Sequence, residues 1–335
     1  MICVTGAAGF IGRSLMAAAG ASARPVDLCW RSPSARASTS ETHGEAGLRG
    51  ACAVHGRKPR ENLQASPGMY GARIDVRDTS TMTQVLRGCR VVVHLAGTTS
   101  VVRSFEDPTS VWSVEVEGTR SVLRAARAAG VLRVVVASSA AIYATGAADS
   151  PYARAKRGVE AACAEAEGSF ALGVAVARLF NVYAEGQPHS AENAPLVAAV
   201  RHCVERRLPI PIFGDGLQTR DFVHVSDVAR ALLALAEGRG SVVAEVGTRT
   251  SMSVLDAVTT LAPGHPVVHH PPRPGDTRNS RSAPSAALEA LGWRPRIVRF
   301  QRTPELDADR TERPIVDADP FALHAPPPPV GNARA

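Results

Sequence analysis

The chain has 335 residues, of which 45% are hydrophobic and 4% aromatic, a composition that fits a soluble globular protein of one large or about two ordinary domains. Its net charge of +7 rests on 38 basic residues, and only Lys58 and Lys156 among them are lysine. The arginines are scattered, not striped, so they read as compositional bias on a solvated surface, and no nucleic-acid partner is indicated. No run of about 18 apolar residues suggests a membrane span. The opening "MICVTG" reads directly as a strand with no charged leader. Cys3, Cys29, Cys52, Cys89, Cys163 and Cys203 form no C-x-x-C pair. That pattern favours buried thiols in a reducing compartment, no metal site and a cytoplasmic location.

Short apolar runs alternate with helical patterns along the first two thirds of the chain. "ICVTG" precedes "IGRSLMAAAG", "ARIDV" precedes "TSTMTQVLRG", and "RVVVHLAG" precedes "VEVEGTRSVLRAARAAG". "LRVVVASS" then leads to "YARAKRGVEAACAEAEG", and "ALGVAVARLF" follows. Units of this kind, at roughly 25–40-residue spacing, predict a parallel sheet covered by helices on both faces. The continuous runs "VVVHL" and "RVVVA" suit strands buried on both sides. The expected fold is therefore α/β, a Rossmann-type doubly wound sheet with a smaller C-terminal α/β substrate domain. Residues 1–177 and 221–247 are assigned to the first, and 178–220 and 248–300 to the second. Residues 31–70 lack any hydrophobic period and are expected to be a loop or disordered insert. Residues 301–335, with "APPPPV", are expected to be a disordered tail.

In "ICVTGAAGFIGRSL", Gly6, Gly9 and Gly12 fall between the first strand and the first helix. Gly6 allows the tight turn, Gly9 lets the backbone approach a pyrophosphate, and Gly12 lets helix and sheet pack closely. The helix N-terminus, with Phe10 and Ile11, then offers free N–H groups to phosphate. Asp27, Trp30 and Arg31 stand near the end of the second strand. An acid there would hold a ribose, whereas Arg31 or Arg36 would meet a 2′-phosphate, so NAD and NADP both stay open. In "RIDVRD", Asp75, followed by Val76, or Asp78 could bond the adenine amino group. Asp78 equally suits a helix N-cap. Leu95, Ala96 and Gly97 of "HLAG" follow the fourth strand and are candidates for the cofactor wall.

Tyr152 and Lys156 are spaced i, i+4, on one side of a helix. An ammonium ~4 Å from a phenolate, at an effective dielectric near 20, stabilises it by about 4 kcal/mol. That upper estimate would carry the tyrosine from about 10 toward about 7, where it could exchange protons at neutral pH.

"TGAAGFIG", "HLAG", "ASSAAIY", "SPYARAK", "RLFNVYAEGQ", "IFGDGLQTRDFVHVSDVARA" and "RPGDTRNS" occur here in the order seen in the extended short-chain dehydrogenase/reductases. The chain resembles the NAD-dependent epimerase/dehydratase family, and within it the UDP-hexose 4-epimerases, over residues 1–30 and about 71–298. The resemblance implies bound NAD, a UDP-hexose or UDP-N-acetylhexosamine substrate, and C4 epimerisation through a 4-keto sugar. It implies that Ser139 bonds the sugar hydroxyl, that Tyr152 is the acid/base, and that Lys156 also holds the nicotinamide ribose. Asn181, Arg220 and Arg273 would hold the diphosphate, Asp276 the uridine ribose, and Ser280 would border the sugar's C2 substituent. A homodimer through helices at about 110–129 and 152–167 is also implied. Dehydratases of this family carry Asp-Glu just after the catalytic hydroxyl residue; here Ala140 and Ala141 stand there. Glu115 replaces the Asn of "N-V-x-G-T", "GPGQ" has become "AEGQ", and the loop between Tyr143 and Tyr152 is short. Those departures, with Arg31 and Arg36, keep two other readings open: an NADP-dependent carbonyl reductase, or a weakened dinucleotide-binding protein.

Overall fold

The computed structural model describes residues 1–28, 72–169, 172–184, 187 and 195–298. The expected insert at 31–70, with Trp30, Arg31 and Arg36, and the expected tail at 301–335 lie outside the described residues.

The first half alternates as the apolar runs require. Strand β1 (Ile2–Thr5) leads to α1 (Phe10–Ala19), followed by β2 (Ala23–Leu28) and β3 (Ala72–Ile74). Then come α2 (Thr79–Leu86), β4 (Val91–His94), α3 (Val101–Glu106) and α4 (Pro108–Trp112). Residues Ser113–Glu117 wind as a π-helical turn into α5 (Gly118–Ala128). Strand β5 (Arg133–Ser139), α6 (Pro151–Ser169), β6 (Gly173–Leu179) and β7 (Asn181–Tyr183) follow. The second half is shorter-grained: α7 (Leu196–Arg206), β8 (Ile210–Phe213), β9 (Thr219–Arg220), β10 (Phe222–His224) and α8 (Val225–Glu237). It ends with β11 (Val242–Val246), β12 (Met252–Ser253), α9 (Val254–Leu261), β13 (Val267–His270) and α10 (Ala286–Ala290).

Seven parallel strands form the main sheet in the order β11-β6-β5-β4-β1-β2-β3. Successive strand residues feed opposite faces, which is why the central strands carry consecutive apolar residues such as Val91–Val93 and Val134–Ala137. Cys3, Val92, Val134 and Val136 join one core with Met82 and Leu86 of α2, Val122 of α5 and Val159 of α6. Val4, Val93, Val135 and Ala175 join the other with Leu15 of α1 and Val228, Leu232 and Leu235 of α8. Helix α5 shows the rule at short range, burying Val122, Leu123, Ala125 and Ala126 while Arg124 and Arg127 face out.

A third apolar cluster lies beyond the sheet. Tyr183, Val197, Val200, Cys203, Ile210, Ile212, Val258 and Leu261 pack together from β7, α7, β8 and α9. Small strand pairs accompany it: β13 with β8, β10 with β7 and β12 with β9. Two buried carboxylates tie later segments to the sheet. Asp221 accepts from Thr248 N (2.8 Å), Thr248 Oγ1 (2.6 Å), Arg249 N (3.1 Å), Ser282 N (3.0 Å) and Ser282 Oγ (2.6 Å). Asp227, in the first turn of α8, accepts from Arg296 N and Ile297 N, both at 2.9 Å.

Candidate active site

Strand order reverses between β1, which pairs with β2 on one side, and β4 on the other. In an open parallel sheet, a crevice forms at the carboxyl ends of the strands at this point. A cavity of about 770 Å³ lies there, lined by Gly6, Gly9 and Gly12 after β1 and by Leu95, Ala96 and Gly97 after β4.

The glycine turn admits no side chains. Gly6 has φ 71°, and a Cβ there would stand 2.7 Å from Ala96 N. A Cβ on Gly12 would stand 2.2 Å from Gly6 O. Gly9 caps α1 without any side-chain cap, and the first turn of α1 holds no acid. Phe10 and Ile11 complete this end of the wall. Unscreened N–H groups and a favourable helix dipole thus face the cavity, a cradle that fits a dinucleotide pyrophosphate.

Helix α6 carries the reactive pair. Pro151 fits the first helical position, and Ser150 Oγ accepts from Ala153 N at 3.1 Å, capping the turn that presents Tyr152. Tyr152 is 8% exposed and Lys156 7%, and both line the cavity with Ser139 at the end of β5. The Ser139 hydroxyl accepts from Ala141 N at 3.2 Å and favours the charged form of the Tyr152 phenol. Lys156 Nζ lies 5.7 Å from the Tyr152 ring centroid and donates to Ala137 O at 3.1 Å.

The electrostatics differ from the expectation of a phenol lowered toward neutrality. Lys156 Nζ is also 2.8 Å from Glu115 Oε2, and Glu115 is 2% exposed. Burial raises the Tyr152 phenol above its ordinary value; Lys156 and Ser139 pull it down while Glu115 pushes it up. Burial disfavours the Lys156 ammonium, but Glu115 more than compensates and holds it well above the usual lysine range. The correction has a plain cause: burial penalises the phenolate most, and the lysine that would offset it is shared with a carboxylate. Glu115 also accepts from Thr98 N (2.5 Å) and Thr98 Oγ1 (3.1 Å). Nearby His94 is buried between Thr5 Oγ1 (2.7 Å) and Thr119 Oγ1 (3.3 Å). Burial, helped by the Lys156 charge, pushes its pKa down to about 3, so it is neutral.

Asn181, Arg220, Arg273 and Asp276 line the same cavity. Asn181 Nδ2 donates to Asp221 O at 3.2 Å. Arg220 Nη2 pairs with Asp276, and Arg220 Nη1 donates to Thr219 O at 2.7 Å. The Arg273 guanidinium lies 3.6 Å from the Phe213 ring centroid, and burial lowers its pKa. Phe213 was not singled out from the sequence. Its position in "IFGDG" carried no period, and only the return of β13 onto β8 sets Arg273 above it.

Three expected site residues do not reach the cavity wall. Asp75 folds back onto Arg77, with Oδ2 2.5 Å from Nη2, and Val76 is buried in the core against α2 and α5. Ser280 donates its backbone N–H to Thr219 O at 3.1 Å and is absent from the lining. Asp78 is the N-cap of α2, accepting from Thr81 N at 3.1 Å.

Comparison with known proteins gives the same family for most of the chain. The model of the NAD dependent epimerase/dehydratase family matches residues 2–246. The UDP-glucose 4-epimerase of Mycolicibacterium smegmatis is 34% identical over 319 residues, covering 88% of this chain and 93% of that protein. The UDP-glucose 4-epimerase of Streptomyces lividans is 30% identical, covering 70% and 80%. Among solved structures, MoeE5 in complex with UDP-glucuronic acid and NAD is similar at 29% identity and a TM-score of 0.69, covering 88% of this chain and 94% of that one. With the glycine cradle at the strand reversal and Tyr152, Lys156 and Ser139 on one wall, this match over the sheet and its crevice makes the chain a member of the NAD dependent epimerase/dehydratase family.

Proposed function

We propose that this protein is an NAD-dependent UDP-sugar 4-epimerase, acting on a UDP-hexose or UDP-N-acetylhexosamine. One observation carries the reading: Tyr152 and Ser139 line the same single cavity as the glycine cradle and the Arg220 and Arg273 guanidinium groups. Bound NAD would take the C4 hydride and return it to the opposite face of the sugar, with no external acceptor. Gly6, Gly9 and Gly12 would hold its pyrophosphate, and Lys156 its nicotinamide ribose. Tyr152 takes the proton of the 4-hydroxyl and later gives it back, while Ser139 orients that hydroxyl. Asn181, Arg220 and Arg273 grip the diphosphate, for which forked permanent cations are suited. Arg220 exchanges its Asp276 partner for phosphate, which frees Asp276 for the uridine ribose.

Elimination of water lacks its groups here. Ala140 and Ala141 follow Ser139 in the 3-10 turn Ala140–Tyr143, and Asp276 is the one carboxylate among the described lining residues. The relatives named UDP-glucose 4-epimerase support the same reaction. Two further readings go with the proposal. Paired helices at 110–129 and 152–167 form a homodimer, consistent with the exposed Trp112 at the start of that face. The thiols Cys3, Cys89, Cys163 and Cys203 are free and buried, as a cytoplasmic protein would keep them. Among the described residues no helix is long and apolar enough to cross a membrane.

The test is to incubate the protein with NAD and a panel of UDP-sugars and follow C4 epimers by proton NMR. Equilibration without net change in NADH absorbance is expected. Stoichiometric consumption of NADPH with no epimer would instead make it a carbonyl reductase. Size-exclusion chromatography with light scattering checks the dimer.

A further inference from the structure

We propose that Glu115 is a positioning residue that holds Lys156 in register and offsets its charge, keeping Tyr152 protonated in the resting site. The inference rests on the reading of Tyr152 as the acid/base and adds what controls it.

Glu115 sits in the π-helical turn Ser113–Glu117, between α4 and α5. Such single-turn insertions re-aim side chains and recur at functional sites. Its carboxylate is fixed behind the cavity wall from three directions. Oε2 meets Lys156 Nζ at 2.8 Å from α6. Oε1 accepts from Thr98 N at 2.5 Å and Thr98 Oγ1 at 3.1 Å. Gly97 makes room for it, because a Cβ there would stand 2.6 Å from Oε1. The Glu115 backbone carbonyl also accepts from Thr119 Oγ1 at 2.6 Å, which fixes the turn to α5.

The other groups around the pair do not carry an opposing charge. His94, from β4, is neutral with its pKa pushed down to about 3, chiefly by burial. Cys163, two turns along α6, has its thiol pushed up to about 12 by burial. Ser139, from β5, contributes a hydroxyl that favours the phenolate. Among the described residues, Glu115 is therefore the charge that opposes Lys156. An ammonium alone would stabilise the phenolate; an ammonium beside a carboxylate does so far less. Glu115 is not part of the cavity wall, so it acts through Lys156 and not on the sugar.

The experiment is an ultraviolet titration of the phenolate at saturating NAD. The Tyr152→Phe protein is the blank, so the signals of Tyr70, Tyr143 and Tyr183 cancel. Glu115→Gln keeps shape and loses charge; Glu115→Asp shortens the arm and keeps charge. The expected result is a Tyr152 midpoint lower by about one pH unit in Glu115→Gln, with Glu115→Asp close to wild type. The acid limb of kcat against pH should follow the same order, with KM for the UDP-sugar unchanged. A role in packing alone predicts the reverse order, with Gln resembling wild type and Asp departing from it. An unchanged midpoint in Glu115→Gln, or failure of both variants to fold, overturns the proposal. The titration needs no turnover, so its outcome is independent of whether any UDP-sugar is epimerised.

Discussion

The Tyr152 phenol feels a serine, a lysine and a glutamate, the first two favouring its charged form and the last opposing it. Tyr152→Phe removes one hydroxyl from a packed helix face and leaves the glycine cradle untouched. Turnover should fall by orders of magnitude, while the melting temperature and NAD affinity stay near wild type; stopped assays, thermal unfolding and calorimetry check the three. His94 gives a second residue-level prediction. Its folded pKa lies near 3, chiefly because of burial, against an ordinary value of 6.5. A histidine depressed in the fold is stable above the unfolded pKa and loses that stability as pH falls toward the folded one. Between about pH 6 and 3 the unfolded chain binds the extra proton, so His94 should cost up to about 1.4 kcal/mol per pH unit. His94→Asn should flatten the pH dependence of urea unfolding over that window. A slope identical to wild type would show that other groups carry it. The residues quoted by motif were legible because their neighbours in sequence are their neighbours in space. Glu115 was visible as a departure, but its bond to Lys156 spans 41 residues and a π-helical turn that no periodicity announces.

Among the elements, the strands of the main sheet were the most legible. β4 and β5 each hold a continuous apolar run, Val91–Val93 and Val134–Ala137, the pattern of a strand buried on both faces. The short strands β7 to β10, β12 and β13 were not legible individually, since pairs of two to four residues are set by tertiary contact and not by local propensity. Ser280 lies in such a region, its backbone N–H held by Thr219 O. Asp221 organises that region. It is fully buried, and Thr248, Arg249 and Ser282 converge on its two oxygens with five donors. Asp221→Ala would leave those donors without an acceptor in a site closed to water. Loss of about 3 kcal/mol or more is expected in urea unfolding. Asp221→Asn should recover part of it, since the amide oxygen still accepts while its NH₂ faces donors.

At the level of the whole molecule, ligand binding and folding are one equilibrium. The crevice at the strand reversal draws on β1, α1, β4, β5, α6 and the later loops, so a dinucleotide seated there binds the native state alone. For NAD at 100 times its Kd, linkage predicts about 2.7 kcal/mol of added stability. In a chain of this size that raises Tm by roughly 4 °C. The rise should appear in NAD-stripped wild type and equally in Tyr152→Phe, because the phenol is needed for proton transfer and not for the cradle. Gly12→Ala should behave differently, since its Cβ would stand 2.2 Å from Gly6 O and 2.8 Å from the backbone of Ala7. Those neighbours are main chain and cannot rotate away, so α1 must shift from β1 and the N–H cradle opens. Its own Tm should drop by an overpacking cost of about 1–3 kcal/mol, and added NAD should restore little of it. Scanning fluorimetry across an NAD series on the three proteins separates these outcomes. An undiminished NAD shift in Gly12→Ala would place the pyrophosphate away from the β1–α1 turn.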